Sequence, residues 1–167
     1  MQDFTFFQHL IQGPSIEVVF YVKKNLIEQI DLSLSSTNGF KWYLVANKPN
    51  EELKDVIEEW VLSYVNQKPI PFKLPINTNM LSPFLHQVLR ALTEIPFSTT
   101  LSYGQVANLI HNPKGARAVG NACGRNPFPL IIPCHRVLAG DGSIGGFSAG
   151  GVDVKRRLLD FENISLA

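Results

Sequence analysis

The sequence predicts an α+β protein in two parts, residues 1–78 and 79–167. Three observations carry that prediction. The first half holds β-rich runs followed by one amphipathic helix, a Pro- and Asn-rich stretch covers 68–79, and the second half reads as short capped helices.

The elements follow in order. Ser15 to Val22 is rich in β-formers, Lys23-Lys24-Asn25 is a turn, and Leu26 to Leu34 alternates with Ile30, Leu32 and Leu34 on one face. Phe40 to Val45 predicts a further strand. Over Glu51 to Tyr64, the residues Leu53, Val56, Ile57, Trp60, Val61 and Tyr64 recur at helical spacing and predict a helix with one buried stripe. The stretch 68–79 reads as a linker.

In the second half Ser82-Pro83 is a cap followed by proline at the first helical position, with Phe84, Leu85, Val88, Leu89 and Leu92 as the apolar stripe. Ser102 and Gln105 have capping-box spacing, and Val106, Leu109 and Ile110 are expected to face inward. Asn112-Pro113 predicts the start of a third helix running through Ala122. Two short helices across a tight turn form helix-turn-helix grammar, and an ordinary packed helical hairpin fits the same pattern. The third helix carries small residues at 115, 116, 118, 120 and 122 with one long cation, Arg117. Small residues let a backbone approach a phosphate chain or a groove with Arg117 inserted, or they serve tight helix packing.

Composition narrows the classes. The chain has 167 residues, 45% hydrophobic and 17% charged, which excludes collagen-like and low-complexity architectures. No apolar run approaches a membrane span, and Met1 to Phe7 lacks the basic region and cleavage site of a signal peptide. A soluble, cytoplasmic protein is expected. The two cysteines, Cys123 and Cys134, form no Cys-x-x-Cys pair, so neither a disulfide framework nor a thiolate zinc site is expected. Net charge is +1. Residues 1–78 hold 7 Lys/Arg and 9 Asp/Glu, hence −2, whereas 79–167 hold 8 and 5, hence +3. Six of those eight cations are arginines, which suits a nucleic-acid face on the second half.

The reactive candidate is Cys134. It follows Pro127-Phe128-Pro129-Leu130-Ile131-Ile132-Pro133, in which Leu130 to Ile132 reads as a short buried extended segment stiffened by proline. A thiol becomes a strong nucleophile as thiolate, and His135 beside it supplies a base. Neighbours in an extended chain point apart, so His135 reaches the sulfur through a water unless the backbone is kinked. Glu162 is the candidate acceptor that fixes the imidazole. A Cys–His pair on its own also suits a cysteine hydrolase, a metal site or a buried structural thiol.

The runs Asn126-Pro127, Ile132-Pro133-Cys134-His135-Arg136-Val137, Gly145-Gly146-Phe147, and Lys155 with Leu158-Leu159 and Glu162 resemble, in order and spacing, the O6-alkylguanine-DNA alkyltransferase family. Its members are also called methylated-DNA–protein-cysteine methyltransferases. Ser102-Tyr103-Gly104 and Ala116 to Gly120 extend the resemblance, which covers roughly 80–163. It implies a ribonuclease-H-like α/β domain over 1–78 and a winged helix-turn-helix domain over 79–167. It also implies repair by irreversible, single-turnover transfer of an alkyl group from O6-alkylguanine in duplex DNA after nucleotide flipping, and leaves O4-alkylthymine open as a second substrate.

By that resemblance Cys134 is the acceptor, His135 its base through a water, and Glu162 the orienting carboxylate. Asn126 holds the active-site turn, and Tyr103 assists flipping and protonates the departing guanine. Arg117 fills the vacated stack, with Ala116, Gly120 and Arg125 on the DNA face. Ser148, Phe147 and Val137 line the base pocket. The loop after Phe147 departs from the family pattern by about one residue, and Gly115 replaces a usual alanine at little expected cost. No metal or cofactor is implied, and the expected form is a monomer on double-stranded DNA. A lesion-binding relative without transfer activity is the alternative; such relatives lack the acceptor cysteine, and Cys134 is present. A hydrolase would need an oxyanion hole that the sequence does not display.

Overall fold

The computed structural model describes residues 3–48, 50–70 and 72–166. Met1 and Gln2 of the N-terminal run and Pro71 of the expected linker lie outside the described residues. The chain forms two compact units that meet in sequence at Asn77 and Thr78.

The first unit is a four-stranded sheet with one helix. Its strands are β1 (Phe4–Leu10), β2 (Ile16–Lys23), β3 (Leu26–Leu34) and β4 (Phe40–Ala46), in spatial order β1-β4-β2-β3. β4 runs parallel to β2, while the two outer pairings are antiparallel. Lys24 and Asn25 take positive φ, the backbone of a two-residue hairpin turn whose twist matches the strands. Period-2 alternation buries Ile16, Val18 and Phe20 on β2 and Phe40, Trp42 and Leu44 on β4. Helix α1 (Glu51–Val65), capped by Asn50, buries Leu53, Ile57, Trp60, Val61 and Tyr64, and Tyr64 meets Phe40 at 6.5 Å between ring centroids. Each such side chain removed from water contributes about 1.5–3 kcal/mol.

Two sequence readings change here. β1 was not among the expected strands, although Phe4, Phe6, Gln8 and Leu10 alternate toward the sheet's covered face. The last part of the expected linker is bound structure: Ile27 N donates to Pro75 O, and Asn77 N donates to Ile27 O, both at 2.9 Å. This adds one parallel bridge outside β3 and covers part of an open edge.

In the second unit α2 (Pro83–Leu92) follows its Ser82 cap, a two-residue strand β5 (Leu101–Ser102) leads into α3 (Tyr103–Leu109), and α4 (Ala116–Cys123) follows across a tight turn. The three helices pack against one another. The capping box is formed in both directions: Gln105 N donates to Ser102 Oγ at 3.1 Å, and Ser102 N donates to Gln105 Oε1 at 2.7 Å. A single 3₁₀ turn, Cys134–Arg136, precedes β6 (Val137–Leu138), and α5 (Val152–Phe161) packs on that turn. β5 and β6 pair in parallel, Leu101 with Val137 and Ser102 with Leu138. The reactive turn and the start of the helix-turn-helix are thereby locked together.

Three local expectations are corrected. Asn112-Pro113 belongs to the turn and not to a helix start: Asn112 N donates to Ala107 O and Gly115 N to Asn112 O, so α4 begins at Ala116 with no side-chain cap. Leu109 is 58% exposed, because Val106, Ala107 and Ile110 define the buried face and Leu109 falls about a quarter-turn from Ile110. Leu130 and Ile131 form a turn, with Leu130 at φ +75° and Ile132 N bonded to Phe128 O, so the segment before Cys134 doubles back instead of extending.

Candidate active site

The turn before Cys134 is built by Asn126. Its side-chain oxygen accepts from Phe128 N at 2.9 Å, and its Nδ2 donates to Ile132 O at 3.0 Å. Cys134 N also donates to Ile132 O, at 2.8 Å, and the Asn126 amide bonds the Cys134 sulfur. The chain then winds into the 3₁₀ turn. This is the kink that lets consecutive residues Cys134, His135 and Arg136 serve one site.

His135 is fully buried, with Nε2 at 2.8 Å from Glu162 Oε1. A nitrogen facing a carboxylate carries the hydrogen, so Nε2–H donates and Nδ1 presents its lone pair. That Nδ1 is buried and has no hydrogen-bond partner among the described residues. Glu162 caps α5 and also accepts twice from Arg136: Nε to Oε2 at 2.8 Å and Nη2 to Oε1 at 2.9 Å. The third Arg136 bond runs from Nη1 to Ile95 O at 2.8 Å. Bidentate geometry of this kind is the strong form of the ion pair.

Burial sets the electrostatics. It pushes the Cys134 thiol up, opposed by the Asn126 hydrogen bond and the Lys155 charge. It pushes His135 down despite Glu162, so the imidazole is neutral at pH 7. Burial alone would raise Glu162, but His135 and Arg136 hold its carboxyl down at about 2. Lys155 is a buried cation whose Nζ donates to Val137 O at 2.7 Å. Burial lowers its pKa, and the facing sulfurs of Cys134 and Cys123 oppose that.

Cys134 opens on a cavity of about 410 Å³. Tyr103, Ala116, Arg117 and Gly120 wall it from α3 and α4, and Phe147 and Ser148 from the loop before α5. Asn121, Cys123, Gly124 and Gly146 also line it. Burial and then the two sulfurs raise the Tyr103 hydroxyl, keeping it a proton donor. Gly145, at φ +68°, takes a backbone that other residues reach only under strain, and a Cβ there would stand 3.7 Å from the Tyr103 hydroxyl. Ser148 reaches the cavity, but its hydroxyl already donates to Gly124 O at 2.9 Å. Arg125 sits outside, on a shallow depression with Gly120, Asn121 and Gly124.

The structure therefore brings together Cys134, His135, Glu162, Asn126 and Tyr103, with Arg117, Ala116 and Gly120 on the rim. Val137 is corrected: it is fully buried in β6, outside the cavity wall, and its carbonyl is taken by Lys155. A Cβ at Gly115 would meet Asn112 Nδ2 at 2.5 Å, the end of an exposed side chain that can swing aside, and Asn112 O at 3.0 Å. Sequence reasoning gave no site role to Lys155 and Cys123. For Lys155 the signal was present, since it shares the apolar stripe of α5 with Val154, Leu158 and Leu159. A charged residue on that stripe needs a buried partner.

Fold and site together define a helix-turn-helix unit that carries a buried thiol beside a buried His135–Glu162–Arg136 array at the mouth of a cavity. Residues 83–164 match the family described as 6-O-methylguanine DNA methyltransferase, DNA binding domain, and the second unit belongs to that family. The chain is 52% identical over 82 residues to the methylated-DNA–protein-cysteine methyltransferase of Mus musculus, covering 48% of this chain and 39% of that protein. It is 44% identical over 99 residues to the bifunctional transcriptional activator/DNA repair enzyme Ada of Escherichia coli, covering 59% and 27%. The chain thus spans about half or less of the curated relatives it matches. In three dimensions it is similar to the crystal structure of Mycobacterium tuberculosis OGT in complex with DNA, with TM-score 0.67, 29% identity, and 86% and 85% of the two chains covered.

Proposed function

We propose that this protein repairs DNA by transferring an alkyl group from O6-alkylguanine irreversibly onto Cys134. The observation that carries the reading is the Cys134–His135–Glu162–Arg136 array opening on a cavity rimmed by the second helix of a helix-turn-helix. The relatives named as methylated-DNA–protein-cysteine methyltransferases and the OGT solved with DNA support it.

The chemistry follows from the site. At neutral pH Cys134 is a thiol raised by burial, and neutral His135 takes its proton at Nδ1 through a water. Glu162, kept ionised by Arg136, steadies the imidazolium that forms. Lys155 and Asn126 offset the charge on sulfur. The thiolate attacks the alkyl carbon in line, a thioether forms, the carbon–oxygen bond breaks, and Tyr103 protonates the departing guanine. Nothing here cleaves a thioether, so each molecule acts once. The target carbon is inside the duplex stack, so the nucleotide must flip, at a few kcal/mol. Arg117 fills the gap while Ala116, Gly120 and Arg125 let α4 approach the phosphates. Phe147 and Ser148 contact the flipped base. The protein works as a cytoplasmic monomer on duplex DNA without metal or cofactor. Among the described residues no helix is long and apolar enough to cross a membrane.

Incubation with duplex DNA containing O6-methylguanine should add one methylene's mass to the intact protein, and nothing to Cys134→Ala. Tight lesion binding without mass gain in the unsubstituted protein would replace transfer by the binding-only reading.

A further inference from the structure

The mechanism uses one of two thiols on the same cavity. Cys123 is the last residue of α4, 8% exposed, and Cys134 is 4% exposed; both residues line the cavity. One residue holds the two segments together. Asn126 N donates to Cys123 O at 3.3 Å, while the Asn126 side chain bonds Ile132 O and the Cys134 sulfur. Lys155 faces both sulfurs, so its charge favours both thiolates over thiols.

We propose that Cys123 and Cys134 form a dithiol site that takes a trivalent arsenical of the type R–As=O across the mouth of the cavity. The ligand class follows from the donor set. Among the described residues no three His, Cys, Asp or Glu side chains cluster to hold a metal ion, so a four-coordinate zinc or cadmium site lacks donors. A monosubstituted arsenic(III) centre keeps its carbon and needs two sulfurs, the number present. A direct disulfide would demand an oxidant and sulfurs at about 2 Å. A bridging arsenic spans a wider gap and needs neither.

The step balances without redox change. Two S–H bonds and the As=O bond break and two As–S bonds form. Both protons leave with the oxygen as water. The arsenic would then occupy the acceptor sulfur and block the cavity.

The test is a titration with phenylarsine oxide, read by intact mass and by iodoacetamide labelling of Cys134. One phenylarsenic per chain should form, protecting Cys134 and reversed by dimercaptopropanol but not by a monothiol at equal thiol concentration. Two sulfurs on one centre bind roughly a hundredfold or more tighter than one. Cys123→Ala and Cys123→Ser should both lose that margin while far-UV circular dichroism stays unchanged. Adduct formation at the same reagent concentration in the Cys123 variants, or none in the unsubstituted chain, would overturn the site. Neither readout involves alkylated DNA, so the result stands apart from the proposed repair activity.

Discussion

Glu162 decides the character of the reactive centre. Its two oxygens accept one bond from His135 and two from Arg136, and all three residues are buried. Glu162→Gln keeps the shape but removes the charge and sets an NH₂ against N–H donors. General-base assistance is worth roughly 10²–10⁴-fold, so the single-turnover alkylation rate should fall at least tenfold while affinity for lesion DNA changes little. Breaking a buried pair costs about 3–5 kcal/mol, so the variant should also melt earlier. An unchanged rate at unchanged affinity would remove Glu162 from the reaction. Cys134, His135 and Glu162 were legible through the ordered motifs of the family resemblance, because a Cys–His pair on its own fits a hydrolase, a metal site or a packed thiol equally well. Arg136 was legible only as the residue that follows His135 in the motif. That it clamps Glu162 depends on a 3₁₀ turn, which the expected extended segment concealed.

At the scale of elements, α4 carries the most specific claim. Its small residues bring it against Tyr103, and Arg117 stands exposed on the cavity rim. Arg117→Ala should slow repair of duplex DNA on the order of tenfold, about 1.4 kcal/mol, because the flipped state loses its filler. Reaction with free O6-benzylguanine, which needs no flipping, should stay near the original rate. Equal losses on both substrates would end the filler role. The helix starts show what a sequence discloses. Ser82 and Ser102 were readable because a cap acts within three residues. Asn112-Pro113 obeyed the same grammar and yet formed a turn, because the Ala107 carbonyl captured Asn112 N. Likewise β1 was missed because its partner β4 lies some 36 residues later, and a lone alternating run carries little weight before its neighbour is known.

At the scale of the whole molecule, the two units differ in what acid does to them. Among the described residues the buried polar or charged side chains are Ser35 in the first unit and His135, Arg136, Lys155 and Glu162 in the second. His135 and Glu162 both have folded pKa values below their ordinary ones, 6.5 and 4.5. A depressed pKa means the unfolded chain binds the proton first, so each group stabilises the fold above its ordinary pKa and loses that contribution as pH falls. His135 should begin to weaken the second unit below about pH 6.5, and Glu162 should remove the rest from pH 4.5 toward about 2. Trp42 and Trp60, the two tryptophans of the chain, are both in the first unit, whereas four of the five α-helices among the described residues are in the second. Acid titration should therefore lower far-UV helical dichroism before tryptophan emission changes, and Glu162→Gln should remove the step between pH 4.5 and 2. Coincident loss of both signals, with the same midpoint in the variant, would mean that this buried array does not set the acid stability of the second unit.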